Sequence, residues 1–129
     1  MSIEYTFRVL PGHLQLDLTG TFDQADALAM YSSAFALAAE HERDAVLIDA
    51  RAVQPPEPTL MQRFDQAIHI AGIHQRQVRR VRLAILGNEP IIDPNRFGEI
   101  VATNRGANVK VFTDEQLALD WLLARPKTG

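Results

Sequence analysis

The sequence predicts an α/β fold in which an N-terminal β-hairpin leads into successive βα units. The element order is β-β-α-β-α-β-α-β-α, a mixed, mostly parallel five-stranded sheet flanked by four helices. Three observations carry that expectation. Ala45-Val46-Leu47-Ile48 is an unbroken apolar run with Glu42, Arg43 and Asp44 before it and Asp49 after it, the pattern of a strand buried on both faces of a parallel sheet. Two segments with two-residue alternation precede it, separated by a turn. The spacing Thr-x-x-Gln recurs at Thr21 to Gln24, Thr59 to Gln62 and Thr113 to Gln116, each time ahead of a helical apolar pattern.

In chain order, Ile3, Tyr5, Phe7 and Val9 alternate with Glu4, Thr6 and Arg8, a strand with one wet face. Pro11-Gly12 turns the chain, and Leu14, Leu16 and Leu18 alternate with Gln15, Asp17 and Thr19 in a second strand. A helix from Phe22 to about Glu42 follows, with Ala25, Leu28, Ala29, Ser32, Phe35, Ala36 and Ala39 on its core face. Met30, Tyr31 and Leu37 fall off that stripe, to be packed by a neighbour or offered to a partner. The central strand Ala45 to Asp49 is followed by a loop, Ala50 to Pro58. Pro55, Pro56 and Pro58 stiffen it because proline lacks a donor and restricts the residue before it.

Thr59 caps a second helix with Leu60, Met61, Phe64, Ala67, Ile68 and Ala71 inward. Gly72 suits its left-handed end, and Ile73 folds back on Ile68. His74 to Arg82 is a basic connector carrying Arg76, Arg79, Arg80 and Arg82. It reads as a solvated lead-in, with an anion or acidic-partner site as the functional alternative. Val81 to Leu86 is the next core strand. Asp93-Pro94 starts a third helix with Asp93 as N-cap, its stripe Phe97, Ile100 and Val101, its stop Gly106. Asn108 to Phe112 is the last strand, and Asp114 to about Leu123 the last helix, with Leu117, Trp121 and Ala124 on one line and Pro126 halting it.

Composition narrows the function classes. A chain of 129 residues fits a single domain, 1–129, able to bury roughly two thirds of its unfolded surface. A net charge of -3 argues for solubility and against a whole-domain affinity for nucleic acid, and no aromatic residues interleave with the arginine run to stack bases. Without cysteine there is no disulfide, thiolate nucleophile or Cys-ligated metal, and a reducing cytoplasm is the simplest compartment. Met1 to Tyr5 lacks a basic region followed by an apolar run, so no signal peptide is expected. No apolar stretch approaches the roughly 20 residues of a membrane span, so no integral membrane association is expected.

Candidate chemistry is sparse. In open α/β sheets, ligands and partners are met where loops leave the carboxyl ends of the strands, which points to Asp49 through Thr59 and to Gly87 through Arg96. Asp49, Glu57, Glu89 and Asp93 belong at that end, where paired carboxylates hold a hard cation or share a proton; the plainer reading is strand-end and cap residues, with no metal. Asp65 and His69 lie one turn apart on the second helix as a surface pair or a base with its orienter, without a nearby nucleophile. His13, His41 and His74 lack metal-ligand spacing. No Gly-rich phosphate loop occurs, and no cofactor is implied.

With these elements in place the chain resembles the STAS superfamily, in particular its SpoIIAA-like branch, also described as STAS/SEC14-like. The run from Gly106 to Leu122 is similar to the family's closing strand and helix, and Val46 to Val53 to its central strand and exit. The resemblance implies a cytoplasmic, non-catalytic regulatory module that works by protein–protein interaction. It also implies a phosphoacceptor at the start of the second helix. Pro58-Thr59 stands where the family carries two serines, which makes Thr59 the candidate, although Thr59-x-x-Gln62 suffices for a helix cap.

Three readings therefore stand side by side. The first is a regulatory or adaptor module, a homodimer in one form, meeting a protein partner through Asp49, Arg51, Glu57, Thr59, Asn88, Glu89, Asp93, Arg96 and the exposed side of the first two helices. The second, implied by the SEC14-like side of the resemblance, is an apolar or lipid-like ligand held between helix and sheet, lined by Met30, Tyr31, Met61, Ile70 and Ile73. The third is an enzyme using carboxylates beside Asp49. A shallow loop face, an enclosed apolar cavity of several hundred cubic ångströms, or converging carboxylates would distinguish them.

Overall fold

The hairpin and the βα units assemble into one sheet. In the computed structural model, which describes residues 2–77 and 80–124, the strands are β1 (Ile3–Val9), β2 (Leu14–Thr21), β3 (Ala45–Gln54), β4 (Arg82–Leu86) and β5 (Val109–Phe112). The helices are α1 (Gln24–Glu40), α2 (Leu60–Arg76), α3 (Phe97–Asn104) and α4 (Glu115–Leu123). Strand order follows the chain, β1-β2-β3-β4-β5, with β1 antiparallel to β2 and the remaining pairs parallel.

Residues 45–49 do lie mid-sheet, between parallel neighbours. Val46 faces Leu14 on β2 and Leu83 on β4, and the next residues keep that register. Their alternate side chains feed two cores. Leu14, Leu16, Leu18, Val46, Ile48, Leu83 and Ile85 pack beneath α1, α2 and α3, while Ala45, Leu47, Ala84 and Leu86 pack against Ala118 and Leu122 of α4. Because α4 lies over β3, β4 and β5, the same side of β1 and β2 holds a polar row. His13 Nε2 lies 3.2 Å from Gln15 Oε1, Gln15 Nε2 donates to Asp17 at 2.9 Å, and Arg8 Nε donates to Asp17 at 3.2 Å.

Several local expectations change. β3 does not stop at Asp49: after a register shift opposite Asp17 and Thr19, Ala52, Val53 and Gln54 continue pairing with β2 alone. The connecting loop is thus shorter, from Pro55 to Thr59. In α1 the buried set is Ala27, Met30, Tyr31, Ala34, Phe35 and Ala38, and Ala25, Ala29, Ser32, Ala36 and Ala39 face water. The helix is alanine-rich all round, so two stripes have helical spacing, and the one with larger side chains gains more from burial. α2 runs through Gly72 to Arg76, so Ile73 is a buried helical residue rather than a folded-back terminator.

The Thr-x-x-Gln spacing marks a true capping box only at Thr59; Asp23 and Asp114 cap α1 and α4, accepting from Asp26 N and Leu117 N. α3 begins at Phe97, not at Pro94, after Arg96 in the left-handed region at φ 54°. Ile100 and Leu117 point to solvent, where Ala102, Ala118 and Leu122 take the buried positions. Tyr5, Phe7 and Val9, expected on a dry face, stay partly exposed because β1 is the last strand of the sheet, although α1 reaches it through Asp26, which accepts from Ile3 N, and its cap His41 lies against Phe7. Arg79 and Pro126 lie outside the described residues.

Candidate functional site

At the carboxyl end of the sheet the sequence-predicted residues divide into two clusters, one on each face. The first is set by the β3 overhang. Asp49, its side chain 15% exposed on the α4 face, takes two bonds from the Arg51 guanidinium at 3.0 and 2.8 Å and one from the Arg51 amide at 3.1 Å. Arg51 also reaches Glu115, at the start of α4, at 2.8 Å. Burial pushes the Asp49 carboxyl up, but the bonds and charge of Arg51, with help from Arg8, outweigh it and hold the group below its ordinary range. The bonds to Asp49 raise the Arg51 guanidinium in turn, against a smaller opposing push from burial. Asn88 Nδ2 approaches the Arg51 carbonyl at 3.4 Å and ties the β4 exit to the overhang.

The second cluster sits on the other face, where the start of α2 meets the approach to α3. Glu57, Pro58, Thr59, Leu60, Arg63, Asp93, Pro94, Asn95 and Phe97 line a shallow depression there. Thr59 Oγ1 accepts from Gln62 N at 3.1 Å and Gln62 Oε1 accepts from Thr59 N at 2.8 Å, which fixes the first turn of α2. Arg63 binds the chain across the depression, donating to the Pro90 and Ile91 carbonyls at 2.7 and 3.0 Å, with Glu57 at 3.8 Å. Asp93 accepts from Phe97 N at 3.0 Å and Asn95 N at 3.1 Å, so it serves the α3 entry as a bridging acceptor. Those bonds, the Phe97 amide foremost, hold its carboxyl below the ordinary value against the opposing effect of burial.

The carboxylates therefore do not converge. Asp49 answers Arg51, Glu57 faces Arg63, Asp93 is spent on backbone amides, and Glu89 is exposed on its own turn. Among the described residues no group of three or more His, Asp or Glu side chains is placed to hold a metal ion.

Behind the second cluster, between the sheet and α1, α2 and α3, lies a cavity of about 100 Å³. Met30, Tyr31 and Ile70 line it, as expected of a ligand pocket; Met61 does not, because it points to solvent, and Ile73 packs elsewhere in the core. Asp93, Arg96 and Arg63 stand among the polar lining residues. Tyr31 donates to Gln66 at 3.4 Å, and its burial pushes the hydroxyl up to about 12, so it stays protonated.

Sequence reasoning missed three features. Leu60 and Met61, expected inward, are 63% and 66% exposed on the first turn of α2. Their apolar character suggested burial, and only the proline loop before them signalled that this turn projects past the sheet. Ser32 Oγ lies 2.9 Å from His69 Nε2, so a hydroxyl does stand beside that histidine, contrary to expectation. Both residues are mid-helix, where backbone amides are already engaged and offer no oxyanion donors. Arg82, read as part of a basic lead-in, instead donates to the Trp121 and Ala124 carbonyls at 2.6 and 3.1 Å and lies over the Trp121 ring.

No helix among the described residues is long and apolar enough to cross a membrane. No protein-family model matches the chain, and no curated protein sequence matches it significantly. Solved structures do. An anti-sigma factor antagonist from Mycobacterium paratuberculosis aligns with a TM-score of 0.62 and 16% identity over 94% of both chains. An uncharacterised protein with a SpoIIAA-like fold from Shewanella loihica PV-4 aligns with a TM-score of 0.52 and 18% identity, again over 94% of both chains. The strand order, the mixed sheet and these alignments together establish that the chain has the SpoIIAA-like fold shared with anti-sigma factor antagonists.

Proposed function

We propose that this chain is a cytoplasmic regulatory or adaptor module without chemistry of its own, which meets a protein partner at the start of α2. The observation that carries this reading is the pair Leu60 and Met61, two large apolar side chains held in water by an intact capping box beside an open depression. Exposed apolar groups on a rigid turn, rimmed by polar residues, are the usual anchors of a protein interface. The fold likeness to an anti-sigma factor antagonist supports the same class of role. Dispersal of the carboxylates speaks against the enzyme reading.

The test is a capture experiment from lysate with tagged protein, comparing wild type with Leu60→Asp/Met61→Asp and with a control, Leu117→Asp, at the exposed α4 position. A partner retained by wild type and control but lost from the double variant, at unchanged melting temperature, supports the reading. Equal retention by all three removes the α2 turn from the interface.

A second reading rests on the apolar cavity. At about 100 Å³ it is too small for a lipid chain, so the ligand it suits is a single small apolar group. Titration with indole or benzene, followed by methyl NMR shifts at Ile70 and Met30, tests this. No shift at saturating probe would discard it.

A further inference from the structure

Among the described residues β1 ends the sheet and no other strand pairs along its outer edge, which is engaged only at its start, where Ser2 N and Ile3 N donate to Asp26 at 2.7 and 3.0 Å. Natural edge strands of this length normally carry a proline, charged side chains, lysine above all, a bulge or a cover that blunts pairing with another chain. The seven residues Ile3–Val9 contain neither proline nor lysine, they pair with β2 without a register shift, and their two charges, Glu4 and Arg8, are of opposite sign. Tyr5, Phe7 and Val9, on the helix side of the sheet, are 38, 43 and 39% exposed. The backbone is oriented for pairing as well. Leu10 N donates to the His13 carbonyl and Thr21 N to the Ser2 carbonyl. Bonded pairs alternate along an antiparallel ladder, so the even-numbered residues of β1 bond to β2; Tyr5, Phe7 and Val9 aim their N–H and C=O groups outward, and Ile3 offers its C=O alone, its N–H being taken by Asp26 Oδ2 at 3.0 Å.

We propose that β1 pairs antiparallel with β1 of a second copy of this chain about a two-fold axis through Thr6, joining the two sheets edge to edge. The sequence of the strand is self-complementary in that register alone. Ile3 meets Val9, Glu4 meets Arg8, Tyr5 meets Phe7 and Thr6 meets itself. Two opposite-charge pairs then flank the axis on one face, and two aromatic pairs flank it on the other. Centring the axis on Glu4 or Arg8 would set like charges against each other, and centring it on Tyr5 or Phe7 would leave Glu4 and Arg8 unmatched. Arg8 uses Nε for Asp17 at 3.2 Å, which leaves the tips of its fork for Glu4 of the second copy. This surface is distinct from the α2 turn, so the dimer stands or falls independently of the proposed partner site.

The chain has no cysteine, so Thr6→Cys supplies a single exposed thiol. Thr6 falls at a non-hydrogen-bonded pair of the proposed ladder, where Cα atoms lie about 4.5 Å apart, within disulfide reach. In Glu4→Cys the two thiols are roughly 13 Å apart along the ladder and cannot join. Light scattering on the eluting wild-type protein at high micromolar concentration is expected to give a dimer. Under mild oxidation Thr6→Cys is expected to form a covalent dimer at least about tenfold faster than Glu4→Cys, and a mixture of Glu4→Cys with Arg8→Cys to form the heterodimer. A monomeric wild type overturns the proposal, and so does a Thr6→Cys rate no greater than that of Glu4→Cys.

Discussion

Replacing Thr59 by alanine removes the side-chain acceptor that holds Gln62 N at 3.1 Å. One first-turn amide then loses its protein partner, at a cost of about 1 kcal/mol, since N-cap Thr→Ala changes span roughly 0.5–2 kcal/mol. For a domain of 129 residues that corresponds to a fall in Tm of roughly 3–5 °C. Urea unfolding followed by circular dichroism should show a lower midpoint with an unchanged slope. Thr59→Ser and Thr59→Asp keep an acceptor, and Asp adds charge favourable to a helix N-terminus, so both should stay within about 0.5 kcal/mol of wild type. Thr21 and Thr113 share the same Thr-x-x-Gln spacing but do not cap, because Asp23 and Asp114 accept the amides there. Their alanine variants should each cost less than about 0.5 kcal/mol, against about 1 kcal/mol for Asp23→Ala or Asp114→Ala. Equal losses at Thr21, Thr59 and Thr113 would refute this assignment of the caps.

His74 Nε2 is buried without a hydrogen-bond partner among the described residues, and burial, then the charge of Arg80, lowers its pKa below 6.5. The unfolded chain therefore binds that proton more readily, so His74 stabilises the fold above about pH 6.5 and the contribution is lost as pH falls through the lowered value. The urea midpoint of wild type should drop more between about pH 7.5 and 5.5 than that of His74→Phe. Arg51→Met leaves the Asp49 carboxylate without its guanidinium and should cost about 1 kcal/mol, part of the charge being solvated. The depressed Asp49 carboxyl lends stability above the ordinary carboxylate range that disappears as pH falls through its pKa; an NMR titration should find that pKa higher in Arg51→Met. In Gly87→Ala the new Cβ would lie 2.8 Å from Ile92 Cγ1, within the packed exit of β4, and should cost about 1–3 kcal/mol by thermal unfolding.

The sheet was legible because its cues are period and polarity, which the chain cannot hide. Ala45 to Ile48 reads as doubly buried, and the Leu14 to Thr19 alternation as half wet, wherever the strands sit. Helix faces were less legible in proportion to their alanine content: in α1 the choice between two stripes depends on which residues the sheet can accept, and burial of Met30 and Tyr31 decided it. Strand ends were harder still, since Arg51 and Ala52 look like loop residues until pairing with β2 is seen. The site suffered most. Asp49, Glu57, Glu89 and Asp93 were correctly placed at one end of the sheet, but sequence order does not say which face a side chain occupies. Leu60 and Met61 were given to the core because nothing in a linear pattern shows that a helix turn overhangs its sheet.

The uneven cover of the two faces bears on how the chain finds its alignment while folding. β3 and β4 are apolar on both sides over residues 45–48 and 83–86, so sliding either by a single place would exchange apolar for apolar there and meet resistance only at the strand ends, where Asp49 and Arg82 would turn toward the helices. β2 has no such latitude: the same slip would press Gln15 and Asp17 under the helices and turn Leu14, Leu16 and Leu18 toward water. β2 thus acts as the ruler against which β3 and β4 are measured.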